Sequence, residues 1–306
     1  MSEADAEAEH PGAVLLDLDG LFGGERVNHG DPEEPFVWTP PRGTTSAKEA
    51  DAKGESTATE EGQQSDKQEP PVKLRLANGN VHLMAQHVWQ SSITLAEEIC
   101  HGRVDVKGKR VLELGAGAAL PGIVSRRRGA TFVAITDYPE DVIVENMTHN
   151  VKANELDTDA PAVVRGFKWG EPIDDLMACC PDGDYYDTIL MADTLWMENQ
   201  HENLLQTCVD ILKRAPPEAE AVAVLTYMNH DDGRGVAGRF FAKAQELHGF
   251  QVSSDRRIAW RANPTEEDYE SDSDDPDRYG PVHFRTLRLP SPTSNTSSEA
   301  VSTEAQ

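Results

Sequence analysis

The run Arg110–Ile123, RVLELGAGAALPGI, constrains this chain more than any other stretch. Val111, Leu112 and Leu114 read as a buried strand that ends in a glycine-rich turn. A second apolar run, Thr131–Glu140 (TFVAITDYPE), reads as a neighbouring strand ending in an acid, Asp137. Glycines in such a turn let an extended ligand approach the backbone, and an acid at the next strand end can accept hydrogen bonds from ribose hydroxyls. The spacing narrows the ligand. The dinucleotide fingerprint needs glycine at the sixth position of G-x-G-x-x-G. Gly115 and Gly117 are in place, but the sixth position is Leu120. Glu113 stands two residues before Gly115, giving E-x-G-x-G. A carboxylate there repels a pyrophosphate and suits a cationic ammonium group. S-adenosylmethionine carries adenine, ribose, a sulfonium and an α-ammonium, and it fits both acids.

The rest of the chain is organised around this pair. KLRLANGNVHL, Lys73–Leu83, predicts a hairpin around Asn78-Gly79, and 84–99 predicts a helix with Val88, Ile93, Leu95, Ala96 and Ile99 on its apolar side. Strands and helices then alternate: strand 110–114, helix 120–128, strand 131–136, helix 139–154, strand 162–167, strand 186–192, helix 200–214, strand 219–227, helix 236–249. That alternation marks an α/β fold, a parallel sheet covered by helices. The last two apolar runs, 251–259 and 282–289, have no helix between them, so they predict an antiparallel pair at a sheet edge. The acidic stretch between them, about 263–280, predicts a solvated loop insertion.

Charge separates domain from flanks. The chain has 306 residues and a formal charge of −26. Met1–Pro70 holds 17 acids against 5 bases, and this polar stretch cannot bury enough apolar surface to offset its ordering entropy. The expected organisation is a disordered acidic region over 1–70, one domain over 71–290, and a disordered Ser/Thr-rich tail over 291–306. One flank segment is apolar, Ala13–Phe22. Its DLDG resembles the nucleophile motif of haloacid-dehalogenase phosphatases, with Asp17 and Asp19 as the acids. Leu21 stands where that family uses Thr or Val, and no α/β domain follows directly, so the segment reads as a short amphipathic piece. The acidic balance disfavours direct binding to nucleic acid or anionic membrane and suits a basic protein partner. No run approaches the ~20 apolar residues of a membrane span, and the first residues lack the pattern of a signal peptide. Cys100, Cys179, Cys180 and Cys208 form no C-x-x-C, and the ten histidines show no metal spacing. Reduced thiols in cytosol or nucleus and no metal are read from this pattern; a cytoplasmic location and a monomer are expected.

The segment from Val111 to Leu156, with its glycine run and ITDYP, resembles the class I methyltransferases of family 16. Within that family the resemblance is strongest to the fungal group named for nicotinamide N-methylation, characterised members of which methylate translation elongation factor 1-alpha. It spans roughly 74–289. It implies a seven-stranded Rossmann-like sheet, mostly parallel with an antiparallel edge hairpin, helices on both faces, and S-adenosylmethionine as cofactor. Gly115, Ala116 and Gly117 would carry the backbone under the cofactor, with Glu113 on the ammonium and Asp137 on the ribose. Tyr138 would cover the adenine. A Trp-Gly like Trp169-Gly170 packs on the adenine in the family, and a Trp placed like Trp89 helps close the site. Ala192 and Asp193 end the fourth strand, which faces the transferable methyl. Relatives carry an acid there and an aromatic three residues on, usually Tyr or Phe; this chain has Trp196. A carboxylate that orients nitrogen beside a ring face that attracts cations suits an amine substrate. Asn146 and Asn150, four apart, read as a solvated helix face, Glu202 beside His201 as a solvated helix start, and Asp231-Asp232 as a turn.

Three functions compete at this point. The first is methylation of protein amines, lysine and/or N-terminal, on elongation factor 1-alpha. The second is methylation of a small molecule of the nicotinamide type. The third is a non-catalytic adaptor, which the intact Glu113, Gly115, Gly117, Asp137 and Asp193 argue against. The absence of an N/D-P-P-Y sequence argues against the usual nucleobase-amine enzymes.

Overall fold

In a computed structural model the alternating apolar runs become one mixed sheet with helices on both faces. The structure describes residues 34–42, 69–77, 85, 87–154, 161–181, 185–229, 234–259 and 281–290. The 13–22 segment, the Asn78-Gly79 turn, Asp231-Asp232 and the acidic loop lie outside them.

Two short strands, β1 (Phe36–Trp38) and β2 (Val72–Leu74), pair antiparallel with each other apart from the main sheet. In the main sheet β3 (Arg110–Leu114), β4 (Phe132–Asp137), β5 (Ala162–Gly166), β6 (Thr188–Ala192) and β7 (Val222–Tyr227) are parallel. The short strands β8 (Gln251–Val252) and β9 (Arg256–Ile258) both pair antiparallel with β10 (Val282–Arg288). The order is β5-β4-β3-β6-β7-β10-β8, with β9 also on β10. Counting β8 and β9 as one broken strand gives seven. The expected closing pair is present, but β10 lies between β7 and the outer pieces rather than at the rim. Strand addition reverses between β3 and β6, and the carboxyl ends there form the crevice where open α/β sheets bind ligands.

Side chains alternate across each strand, so every strand feeds two cores. Val111, Val133, Ile135, Leu190 and Val224 face helices α1 (Gln90–Cys100), α2 (Leu120–Arg127) and α3 (Asp141–Ala153). Leu112, Leu114, Ala134, Met191 and Leu225 face α4 (Asp174–Cys179), α5 (His201–Leu212) and α6 (Val236–His248). Most boundaries fall within a few residues of the sequence reading. Helix α1 begins at Gln90 rather than at 84, and α4 was not anticipated: six residues, DDLMAC, are too short to show a helical period.

The acidic flank also holds a packed element. Trp38 is 3% exposed and joins the core with Val72 and Leu74. Lys73 therefore belongs to a strand paired with Phe36–Trp38, opposite Val37, 36 residues upstream. Helix α3 anchors this pair. The carboxamides of Asn146 and Asn150 both donate to Arg75 O, Asn150 Oδ1 accepts Arg75 N at 2.7 Å, and Asn154 exchanges bonds with Lys73 N and O. Asn146 and Asn150 are thus buried against backbone, correcting the solvated-face reading. A large-to-small change at a buried Trp costs about 3–5 kcal/mol. Trp38→Ala, or deletion of 1–60, is therefore expected to lower the melting temperature by roughly 6–20 °C at this chain size. An unchanged melt would show that β1 adds nothing to the domain.

Candidate active site

The site is built on the turn after β3. Gly115 and Gly117 have φ of +69° and +52°, a left-handed backbone that L side chains rarely adopt. A Cβ on Gly115 would stand 2.9 Å from Thr194 Cγ2 and 3.1 Å from Trp169 Cζ2. The turn, the Trp169 ring and the end of β6 therefore meet at Gly115, at a distance only glycine permits. On the other side, a Cβ on Gly117 would meet Ala85 and His87 backbone at 3.8–3.9 Å. Ala116 N donates to Thr136 O at 3.0 Å, which ties the turn to β4.

Asp137 closes β4 and grips the same turn. Its Oδ2 accepts Gly117 N at 2.7 Å and its Oδ1 accepts Tyr138 N at 2.6 Å. It is only 9% exposed, and burial raises its pKa against the pull of these two N–H groups. It caps no helix, because α3 starts at Asp141 with Glu140 as its N-cap. Tyr138 follows it on the surface, 42% exposed.

Glu113 departs from its expected position. Period-two alternation puts it on the Val111 face, under α2, where it is 1% exposed. Its Oε2 accepts Gly122 N at 2.9 Å. A Cβ on Gly122 would stand 2.6 Å from that oxygen and 2.7 Å from Ile135 Cγ1. Gly122 lets helix and sheet approach this closely, the task of the third fingerprint glycine, two residues further along. Sequence reasoning missed it because Leu120 occupies the expected position.

Burial, opposed by the Gly122 N–H and aided by the nearby Asp137 charge, pushes the Glu113 carboxyl up to about 8. The folded protein thus holds a proton that the unfolded chain releases near pH 4–5. Stability should fall as pH rises from there to about 8 and level off above. Glu113→Gln is expected to flatten this slope, so its melting advantage over the parent grows between about pH 5 and pH 8. Parallel melting curves would rule out a protonated Glu113.

Asp193 follows β6 in an unusual backbone conformation. Its φ is +56°, and only Ala119 and Glu220 share a positive φ among the described non-glycine residues. Strain of this kind persists only where surroundings over-determine it. Asp193 N donates to Thr226 O at 2.8 Å, and Asp193 Oδ1 accepts Met228 N at 3.3 Å. Thr226 Oγ1 donates in turn to Ser91 O, so the start of α1 reaches the same strand ends. Trp89 caps that helix, its ring edge-on to His87 at 5.6 Å. Ala192, Trp169, Trp196 and Trp89 are all half-buried. Trp89, the glycine turn, Asp137, Tyr138, Trp169 and Asp193 thus cluster at the carboxyl ends of the parallel strands or on elements joined to them. A surface hollow of about 670 Å³ lies at the opposite, amino ends. Arg110 there pairs with Asp187 at 3.2 Å and stacks over Tyr185 at 3.7 Å, a structural tie between β3 and β6.

Among the described residues no His, Cys, Asp or Glu cluster could hold a metal, and no helix is long and apolar enough to cross a membrane. The residues present fit S-adenosylmethionine: Gly115 and Gly117 carry no side chain of their own, the Trp169 ring stands against the turn, and a carboxylate ends β4.

A glycine turn and an acid-ended strand at the carboxyl ends of a mostly parallel sheet form the kind of crevice that takes a nucleoside-bearing ligand. A family model described as lysine methyltransferase, methyltransferase family 16, matches residues 68–246, and the chain belongs to that family. It is an S-adenosylmethionine-dependent N-methyltransferase. It is similar to a protein N-terminal and lysine N-methyltransferase of Schizosaccharomyces pombe, 33% identical over 224 residues, 72% of this chain and 84% of the relative. The protein of the same name in Aspergillus fumigatus is 34% identical over 188 residues, 60% of this chain and 70% of the relative. That of Emericella nidulans is 34% identical over 190 residues, 60% and 72%.

Proposed function

We propose that this enzyme methylates lysine and/or N-terminal amines of a protein, translation elongation factor 1-alpha, in the cytoplasm and as a monomer. The observation that carries this reading is the similarity, over most of the domain, to proteins named protein N-terminal and lysine N-methyltransferase. The factor itself comes from the resemblance of the glycine run and ITDYP. Bound S-adenosylmethionine supplies an electrophilic methyl on a sulfonium. The chain's own residues bind, orient and deprotonate. Gly115, Ala116 and Gly117 would lie under the ligand; Trp169 and Tyr138 would cover the adenine; Asp137 would accept from the ribose while holding Gly117. Glu113 shapes the turn from beneath, through Gly122. Trp89 closes the site from α1, and Ala192 lines the wall.

Asp193 and Trp196 act on the substrate. In-line displacement needs a neutral amine with its lone pair aimed at the methyl. Asp193 orients the nitrogen and helps it lose a proton, and the Trp196 ring face attracts the cationic form. The catalytic domain occupies 71–290 with the Phe36–Trp38 strand packed onto it, and the acidic flanks suit a basic protein surface rather than nucleic acid or membrane.

Incubation with radiolabelled cofactor and either a protein-rich or a deproteinised cell extract tests the reading. Label in one protein band, matched by purified elongation factor 1-alpha, is the expected result. Label confined to small molecules would favour the nicotinamide-type reading instead.

A further inference from the structure

His201 opens α5 and is completely buried. Its ring stands edge-on to Phe240, with centroids 5.0 Å apart. Nε2 lies 2.8 Å from Leu195 O, and a carbonyl only accepts, so Nε2 carries the hydrogen and donates. Nδ1 is buried and has no hydrogen-bond partner among the described residues. The unpaired buried Nδ1 is a cost, so what an imidazole offers here over an apolar ring packed on Phe240 is its one hydrogen bond, to Leu195 O.

The accepted carbonyl explains the choice. Leu195 sits between Asp193 and Trp196, in a turn that starts from the strained φ of Asp193. The β7 end holds the start of that turn through Thr226 O and Met228 N. His201 holds its middle. We propose that His201 is a positioning residue: its Nε2–H fixes Leu195 O and so sets the relative placement of the Asp193 carboxylate and the Trp196 ring. The proposal rests on the reading of Asp193 and Trp196 as the substrate-facing pair. His201 itself touches neither substrate nor cofactor. Burial lowers its pKa, which keeps the neutral, donating tautomer in place.

The test compares donor-free and donor-retaining substitutions. His201→Phe keeps ring volume and loses the N–H; His201→Gln restores an N–H at nearly the same reach. Initial label incorporation into a protein-rich extract is measured at saturating cofactor, with calorimetric affinity for S-adenosylhomocysteine and thermal melts alongside. His201→Phe is expected to lose at least tenfold in rate, keep cofactor affinity within about twofold, and stay folded, with a melting loss no larger than one unmade buried hydrogen bond accounts for. His201→Gln is expected to recover most of the rate, which a purely space-filling role would not give. If His201→Phe does not fold, His201→Met serves as the donor-free variant against the same Gln comparison. A folded donor-free variant within twofold of the parent rate overturns the proposal, as does a Gln variant no better than Phe. Asp193→Asn run beside them separates the two ideas. A loss there with full activity in His201→Phe sinks only the positioning role. Full activity there with a Phe loss that Gln rescues removes the aspartate and leaves His201's hold on the turn standing.

Discussion

Asp193→Asn is expected to cut turnover by about 10²–10⁴-fold, the usual cost of losing a general base, while S-adenosylhomocysteine affinity stays within about twofold. Asparagine is the right probe because of the backbone. Asp193 has a φ of +56° and is 6% exposed, and Asn tolerates that left-handed region better than most side chains. The amide oxygen can still accept Met228 N, so this hold on the turn survives the loss of charge. Alanine would confuse lost chemistry with lost backbone shape. Trp196→Ala should mainly raise KM, whereas Trp196→Phe should be tolerated because an aromatic face remains. Steady-state rates on the labelled protein substrate, with cofactor affinity measured separately, decide the matter. Nearly full activity in Asp193→Asn would move the catalytic wall away from the end of β6.

The parallel strands and their alternation with helices were legible because they rest on short-range signals. Buried runs of five or six residues ending in glycine or an acid announce parallel strands, and their ends are where such sheets bind ligands. What escaped depends on tertiary partners. Phe36–Trp38 is three residues between prolines in an acidic stretch, and it becomes a strand only because Val72–Leu74 pairs with it. The spacing of Asn146, Asn150 and Asn154 gave one helix face, but not whether water or the backbone of 73–75 would cover it. Glu113 could have been placed correctly: alternation from Val111 puts it beneath a helix, yet the ligand analogy pointed it outward. His201 carried no signal at all, since a buried histidine and a solvated helix start look alike in sequence.

Asp137→Ala is expected to weaken S-adenosylhomocysteine binding by about 10²–10⁴-fold. The sequence alone placed this acid at an exposed strand end, where its loss would remove only ribose acceptors. The structure gives it a second task. Both carboxylate oxygens hold backbone N–H groups, one of them on Gly117 in the turn that would lie under the ligand. Those two bonds are present in the free protein and cancel in binding; the affinity loss comes from the two ribose hydroxyls, each of which would donate to a charged group for about 1.5–3 kcal/mol. The fold should also suffer, because Gly117 N and Tyr138 N lose their partners. A melting loss without an affinity loss would make Asp137 a brace for the turn and nothing more. Asp137→Asn separates the contributions: its single oxygen can keep one backbone bond but cannot serve both donors and the ribose. An affinity between those of the parent and the alanine variant, with most of the stability recovered, is the result that assigns Asp137 both roles. Parent-level affinity in both variants would remove Asp137 from the cofactor site altogether.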